Sequence, residues 1–288
     1  MAVQRSRFYT ILSVVAGIAV LAALIHLMDY KSAFEIPRII PKFRSSDDQS
    51  VEHKSFSTVG DYVDSNIGVG QAHQKSWYEI AMAAGTDKVT THEYQYMYEK
   101  YLPAIRNGHV KMLEIGLGCN MNYGPGKSYA TWLEYFPNLD LYYIEYDGAC
   151  AAKWAHKTQN AHVFAGDQSN VTFLEEFLDN AGMDFDVIID DGGHTMTQQI
   201  TSLEHLWRAV KPGGYYFLED LQTSYMAGHY GGDPSTKDPN IKTAMKFIYE
   251  LIDDRMTGRS GHDISSNMRS IDCMKEVCAF TKKSAAVF

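Results

Sequence analysis

Several features that commit a chain to a special class are scarce here. The 288 residues include four cysteines, Cys119, Cys150, Cys273 and Cys278, with no Cys-x-x-Cys pair among them. Such spacing excludes a zinc finger or ribbon and is too sparse for a disulfide framework. Cys273 and Cys278 are close enough to face one another across a short hairpin, but the four read as buried thiols, and the redox compartment stays open. Lys and Arg form no cluster in the body of the chain, and the formal charge is -9. Phosphate-tracking surfaces depend on such clusters, so nucleic acid is not an expected partner. Acidic blocks, internal repeats and low-complexity tracts are also missing from the body.

What is present begins with one long apolar run. Residues 8–28 contain no charged side chain, and Arg5 and Arg7 precede them. As a helix this run would be about 32 Å long, enough to cross a hydrocarbon core of roughly 30 Å. It is long for a cleaved signal peptide and no small-x-small cleavage site follows, so it reads as a transmembrane anchor behind a short tail, 1–7. A tail that short favours a cytoplasmic N-terminus with the large domain lumenal, although Lys31, Arg38, Lys42 and Arg44 on the far side rival Arg5 and Arg7. Residues 29–75, punctuated by Pro37 and Pro41 and polar over 45–57, read as a flexible stem.

Residues 76–288 hold the folded domain. Helical and strand periods alternate: helices over 93–105, 128–136, 172–180, 197–210 and 241–253, one more running through Trp154, and strands over 110–115, 139–144, 161–165, 185–189 and 215–218. That alternation predicts an α/β fold, a doubly wound Rossmann-like parallel sheet with right-handed crossovers. The stretch 271–280 predicts a C-terminal antiparallel hairpin.

Chemistry concentrates where strands end, because open α/β sheets bind ligands at the carboxyl ends of their strands. The fourth strand runs into Asp190-Asp191-Gly192-Gly193-His194 and the fifth into Glu219-Asp220. Carboxylates are hard ligands for Mg2+-like ions, and histidine suits proton transfer near neutrality, so these residues point to metal-assisted deprotonation. Glu114-Ile115-Gly116-Leu117-Gly118 closes the first strand, and Glu145 closes the second, 29 residues beyond Gly116. Glycines there allow close backbone approach to a ligand, and an acid in that second place hydrogen-bonds ribose hydroxyls, which favours an adenosine-type cofactor. Gly126-Lys127-Ser128 imitates the end of a nucleotide-binding P-loop, but Met121 stands where that loop needs glycine. Asn170-Val171-Thr172 matches a glycosylation sequon and reads as an unmodified helix start.

With Gly166-Asp167-Gln168 after the third strand, this pattern resembles the class I S-adenosylmethionine-dependent methyltransferases. Gly85-Thr86-Asp87-Lys88, His92, Tyr94, Tyr98-Glu99, Tyr101-Leu102, Asp190-Asp191-Gly192-Gly193-His194, Leu218-Glu219-Asp220 and Thr223-Ser224-Tyr225 look like the macrolide sugar O-methyltransferase group. The resemblance implies that Glu114, Gly116, Gly118, Glu145, Asp167, Gln168 and Asp190 bind the cofactor. It further implies that Asp191, Asp220 and Glu219 hold Mg2+ or a similar divalent cation, with His194 as base beside Asp191; Tyr98 and Tyr101 read as packing residues. The expected activity is methyl transfer to a sugar hydroxyl of a glycan or glycosylated metabolite. A phenol or polyketide hydroxyl, or a non-catalytic membrane-tethered scaffold, are the competing readings.

Overall fold

The computed structural model describes residues 74–285. The expected span, 8–28, and the expected stem up to residue 73 lie outside the described residues. Among the described residues, no helix is long and apolar enough to cross a membrane.

Helix α1 (Trp77–Ala84) starts at a capping box in which Ser76 and Glu79 satisfy each other's backbone N–H groups, and it stops at Gly85 in the left-handed conformation. A single turn, α2 (Asp87–Thr90), and α3 (Gln95–Tyr101) follow. The helix expected over 93–105 is thus shorter, because Pro103 falls in a 3-10 turn, Leu102–Ala104, that ends it. Then come β1 (Val110–Ile115), α4 (Lys127–Tyr135), β2 (Leu139–Glu145), α5 (Gly148–Trp154), β3 (Ala161–Ala165) and α6 (Val171–Ala181). Asn170 caps α6 by accepting from the Phe173 amide, as its reading as a helix start requires.

The second half continues with β4 (Phe185–Asp190), α7 (Met196–Leu206), β5 (Val210–Leu218), α8 (Ala244–Thr257), α9 (Asp263–Asn267), β6 (Met268–Met274) and β7 (Val277–Lys282). Strand β5 begins five residues before the expected 215, since Pro212-Gly213-Gly214 lies inside the strand at a register shift against Phe185 and Val187 rather than in a separate turn.

The sheet order is β3-β2-β1-β4-β5-β7-β6. The first five strands are parallel, β7 joins β5 antiparallel, and β6 closes the hairpin. Both faces are covered, which is why every residue of β4 is buried. One face packs on α6, α7 and α8 through Leu174, Phe177, Leu203 and Phe247. The other packs on α1, α3 and α4 through Trp77, Tyr98 and Trp132. The chain leaves β1 toward β2 on one side and reaches β4 on the other, so the crevice between the ends of β1 and β4 is the switch point of the sheet.

The cysteine expectation is corrected. All four are paired, Cys119 with Cys150 and Cys273 with Cys278. Adjacent parallel strands β1 and β2 end side by side, Ile115 opposite Ile144, which brings the loops beyond them together although their cysteines are 31 residues apart. Cys273 and Cys278 are direct register partners in β6 and β7.

Candidate active site

A cavity of about 790 Å³ opens at the carboxyl ends of the strands. Gly116 and Gly118 line it from the β1 loop, Glu145 from β2, Asp167 and Gln168 from β3, and Asp191, His194 and Asp220 from beyond β4 and β5. Glu114, Asp190 and Glu219 do not line it. Each is fully buried within the packed layers. Glu114 and Asp190, expected against the cofactor, and Glu219, expected at the cation, lie beneath the cavity in this structure.

Those buried acids hold the cavity floor. Asp190 accepts from Gln168 Nε2 at 2.8 Å, Tyr216 Oη at 2.9 Å, and Ser202 Oγ. Burial still pushes its carboxyl above the usual carboxylate range. The other end of the Gln168 amide accepts from Gly193 N at 2.9 Å, so one side chain clamps both ends of the Asp-Asp-Gly-Gly turn. A Cβ on Gly192 would lie 1.8 Å from Gln168 Oε1, which explains the glycine there. Gly116 has a parallel reason: its φ is 96°, and a Cβ would meet the Asp191 carbonyl oxygen at 2.1 Å. The β1 loop and the Asp191 turn can touch only through a glycine.

Lys88, on α2, is the strongest feature that carried no assigned role in the sequence. Although 1% exposed, its ammonium donates to Asp191 Oδ2 at 2.7 Å and Glu219 Oε2 at 2.6 Å and lies 3.3 Å from Glu114 Oε1. Burial alone would lower its pKa, but Asp191 and Glu219 hold it well above the ordinary value. Burial pushes Glu114 up and Glu219 well up, against the pull of the same lysine. Tyr98 packs its ring 4.6 Å from Trp77 and 5.1 Å from Phe217, as a packing residue should, and also donates its hydroxyl to Glu219 Oε1. Tyr101 likewise packs near Tyr215 while donating to Asp272 at 2.8 Å.

Above this layer, Asp191, His194 and Asp220 each offer a ligand atom within 4.8 Å of one another. His194 Nε2 is 3.2 Å from Asp220 Oδ2 and 3.9 Å from Asp191 Oδ1, while its Nδ1 is buried without a partner among the described residues. Asp220 accepts from Tyr94 Oη at 3.0 Å and Gln222 Nε2 at 2.8 Å. Burial raises the Asp220 carboxyl, but His194, Gln222, His92 and Tyr94 outweigh it, and the net shift is downward. His92 approaches the same carboxylate at 3.7 Å and is itself bound through Nδ1 to Glu276 Oε2 at 2.8 Å. Neither His92 nor Glu276 carried a role in the sequence reading; Lys88, His92 and Tyr94 belong to one segment ahead of β1.

At the end of β2, Glu145 accepts from Leu117 N at 2.9 Å and Asp147 N at 2.8 Å, leaving further acceptor capacity on both oxygens. The P-loop imitation dissolves: Lys127 donates to Gly85 O at 2.7 Å and Ser128 Oγ donates to Glu114 at 2.8 Å, so neither is free to hold a phosphate.

Two carboxylates and an imidazole converging from two adjacent strand ends fit a hard divalent cation, with the unpartnered His194 Nδ1 marking unfilled hydrogen-bonding capacity. No family model matches the chain. It is 31% identical over 175 residues to the 8-demethyl-8-alpha-L-rhamnosyl tetracenomycin-C 2'-O-methyltransferase of Streptomyces olivaceus, 60% of this chain and 44% of that protein. To the mycinamicin VI 2''-O-methyltransferase of Micromonospora griseorubida it is 31% identical over 159 residues, 54% of this chain and 38% of that one. The chain thus spans less than half the length of these relatives. Among solved structures, the MycE methyltransferase of the mycinamycin biosynthetic pathway, in complex with Mg, SAH and mycinamycin VI, superposes with a TM-score of 0.64 at 26% identity, over 74% of this chain and 56% of that one. A second crystal form, with Mg and SAH, gives 0.65 at 26% identity, over 74% and 54%. The chain has the fold of the class I S-adenosylmethionine-dependent methyltransferases and is similar, within them, to the macrolide sugar O-methyltransferases.

Proposed function

We propose that the domain transfers a methyl group from S-adenosylmethionine to a sugar hydroxyl of a glycan or glycosylated metabolite, assisted by a divalent cation. The observation that carries this reading is one cavity lined both by Gly116, Glu145 and Asp167 and by the Asp191, His194 and Asp220 group. The sugar-directed names of the two curated relatives support the acceptor class. Gly116 and Gly118 admit the methionine part of the cofactor, Glu145 accepts from the ribose hydroxyls and Asp167 borders the adenine. Asp191 and Asp220 hold the cation, which when bound lowers the pKa of a nearby hydroxyl. His194 takes the hydroxyl proton as the acceptor oxygen bonds to the methyl carbon. The carbon–sulfur bond breaks, its electron pair stays on sulfur, and S-adenosylhomocysteine leaves. Positioned proton removal of this kind contributes on the order of a hundredfold to ten-thousandfold.

The apolar run 8–28 is proposed to anchor the chain, with the domain in an oxidising lumen, where disulfides such as its two persist. Thermal-shift titration tests the function: stabilisation by S-adenosylhomocysteine, and loss of turnover on chelation and in His194→Ala, support it. Stabilisation by ATP alone contradicts the cofactor assignment, and turnover that survives in His194→Ala contradicts the base.

A further inference from the structure

The cofactor end of the cavity is built from two loops that one covalent bond joins. The first, 116–126, leaves β1; the second leaves β2 at Glu145 and opens α5. Cys119 of the first lines the cavity and is disulfide-bonded to Cys150 in the first turn of α5. The first loop is also held by Leu117, buried in the core, by Gly116 N donating to Ile144 O at 2.8 Å, and by the Tyr123 ring, 3.9 Å from Lys127 Nζ. Gly116, Gly118, Gly124 and Gly126 all hold positive φ, a backbone that is entropically costly to order. Its internal backbone bonds are Met121 N to Gly118 O at 3.1 Å and Gly124 N to Met121 O at 2.9 Å. Across to the second loop, Leu117 N donates to Glu145, and Gly124 rests against the Trp154 ring, which an added Cβ would approach to 3.3 Å. The Glu145 carboxylate that ties the loop is also the one proposed to accept ribose hydroxyls, through the acceptor capacity its two backbone bonds leave.

We infer that the Cys119–Cys150 disulfide is a positioning device for the cofactor: it holds the β1 loop against α5, so that the cofactor meets a preformed cradle and not a loop it must order. The inference rests on the proposed cofactor site. Cys273–Cys278 supplies an internal contrast, because it joins two strands already paired along their length at the far edge of the sheet.

Calorimetric titration of S-adenosylhomocysteine into the folded domain tests this, using Cys273→Ala/Cys278→Ala as the background so that reduction opens only the loop bridge. The oxidised background binds within about threefold of the unsubstituted protein, and reduction weakens binding at least tenfold, with recovery on reoxidation. Mn2+ affinity at Asp191 and Asp220 stays within about twofold across the same change. A Cys119→Ala/Cys150→Ala variant repeats the loss without reductant. Unchanged S-adenosylhomocysteine affinity on reduction overturns the inference, as does a parallel loss of S-adenosylhomocysteine and Mn2+ binding, which would mark a general structural role. If the oxidised, unsubstituted protein fails to bind S-adenosylhomocysteine, the cofactor assignment itself falls, and the inference with it.

Discussion

His194 Nε2 lies 3.2 Å from Asp220 Oδ2, and both residues hold left-handed backbones, with φ of 57° and 54°. Such a conformation costs a residue with a Cβ about 1–2 kcal/mol, and it occurs here at the ends of two adjacent strands, at the pair proposed to carry the chemistry. Strain kept at a site is compensated by its surroundings; here Tyr94 Oη accepts from Asp220 N and donates to its carboxylate.

The strained backbone and the chemistry separate by substitution. Both His194→Ala and His194→Gly are expected to lose methyl transfer by on the order of a hundredfold to ten-thousandfold. The glycine variant, lacking the Cβ, should be more stable than the alanine variant by about 1 kcal/mol in urea unfolding. Equal stability would show that the backbone is not under strain at this position.

Lys88 is a buried cation that joins two buried acids, Glu114 and Glu219, to the half-buried Asp191. Removing one partner of a buried ion pair leaves uncompensated charge, so Lys88→Met is expected to destabilise the fold by about 3–5 kcal/mol. Adding Glu219→Gln should recover part of the loss, a coupling that a double-mutant cycle in denaturant measures directly. Simple additivity of the two substitutions would mean that Lys88 and Glu219 do not act as a pair.

Two loop glycines with similar φ should respond differently to alanine. At Gly116, φ is 96° and a Cβ meets the Asp191 carbonyl at 2.1 Å; at Gly126, φ is 103° and, among the described residues, nothing lies within 4 Å of an added Cβ. Gly126→Ala is therefore expected to cost about 1–2 kcal/mol of conformational strain. Gly116→Ala carries that strain plus a backbone clash and should also lose S-adenosylhomocysteine affinity. Comparable affinities for the two variants would contradict the close approach of the β1 loop to the Asp191 turn.

Asp233 ties down the loop that brings His229 and Tyr230 to the cavity. Its carboxylate accepts from Lys246 Nζ at 2.7 Å and Ser235 N at 3.0 Å, and these donors, Lys246 foremost, hold its pKa well below the usual carboxylate value. A depressed acid contributes stability that is fully present above its unfolded pKa, about 3.9, and is lost as pH falls toward the folded value. Asp233→Asn should thus lower Tm near neutrality, and the gap to the unsubstituted protein should narrow below about pH 4. A gap that does not change with pH would show that the Asp233 carboxylate charge does not stabilise the fold.

Residues that act close to their own strand were legible in the sequence. Asp191, Gly192, Gly193 and His194 stand out because a buried strand runs straight into them, and Glu145 because it closes the strand beside the first glycine loop. Lys88 was not legible as a partner of Asp191, since 103 residues separate them and only the folded α2 turn brings the ammonium to the strand ends. The same holds for Cys119 and Cys150, which look scattered until β1 and β2 pair in parallel. Glu114, Asp190 and Glu219 were legible as acids at strand ends but not as buried ones. Which face of a strand's last pleat a side chain takes depends on the layers packed against it, and those layers are set by the tertiary fold.

The proposed methyl transfer to a sugar oxygen at the Asp191, His194 and Asp220 group can be measured directly. The direct measurement incubates the protein with methyl-labelled S-adenosylmethionine, Mg2+ and a glycan and glycoside extract, then hydrolyses the products and identifies the labelled monosaccharides. Label is expected in an O-methyl sugar, absent with chelator and in His194→Ala. Label confined to a phenolic or polyketide oxygen, or incorporation that survives both chelation and His194→Ala, would contradict it.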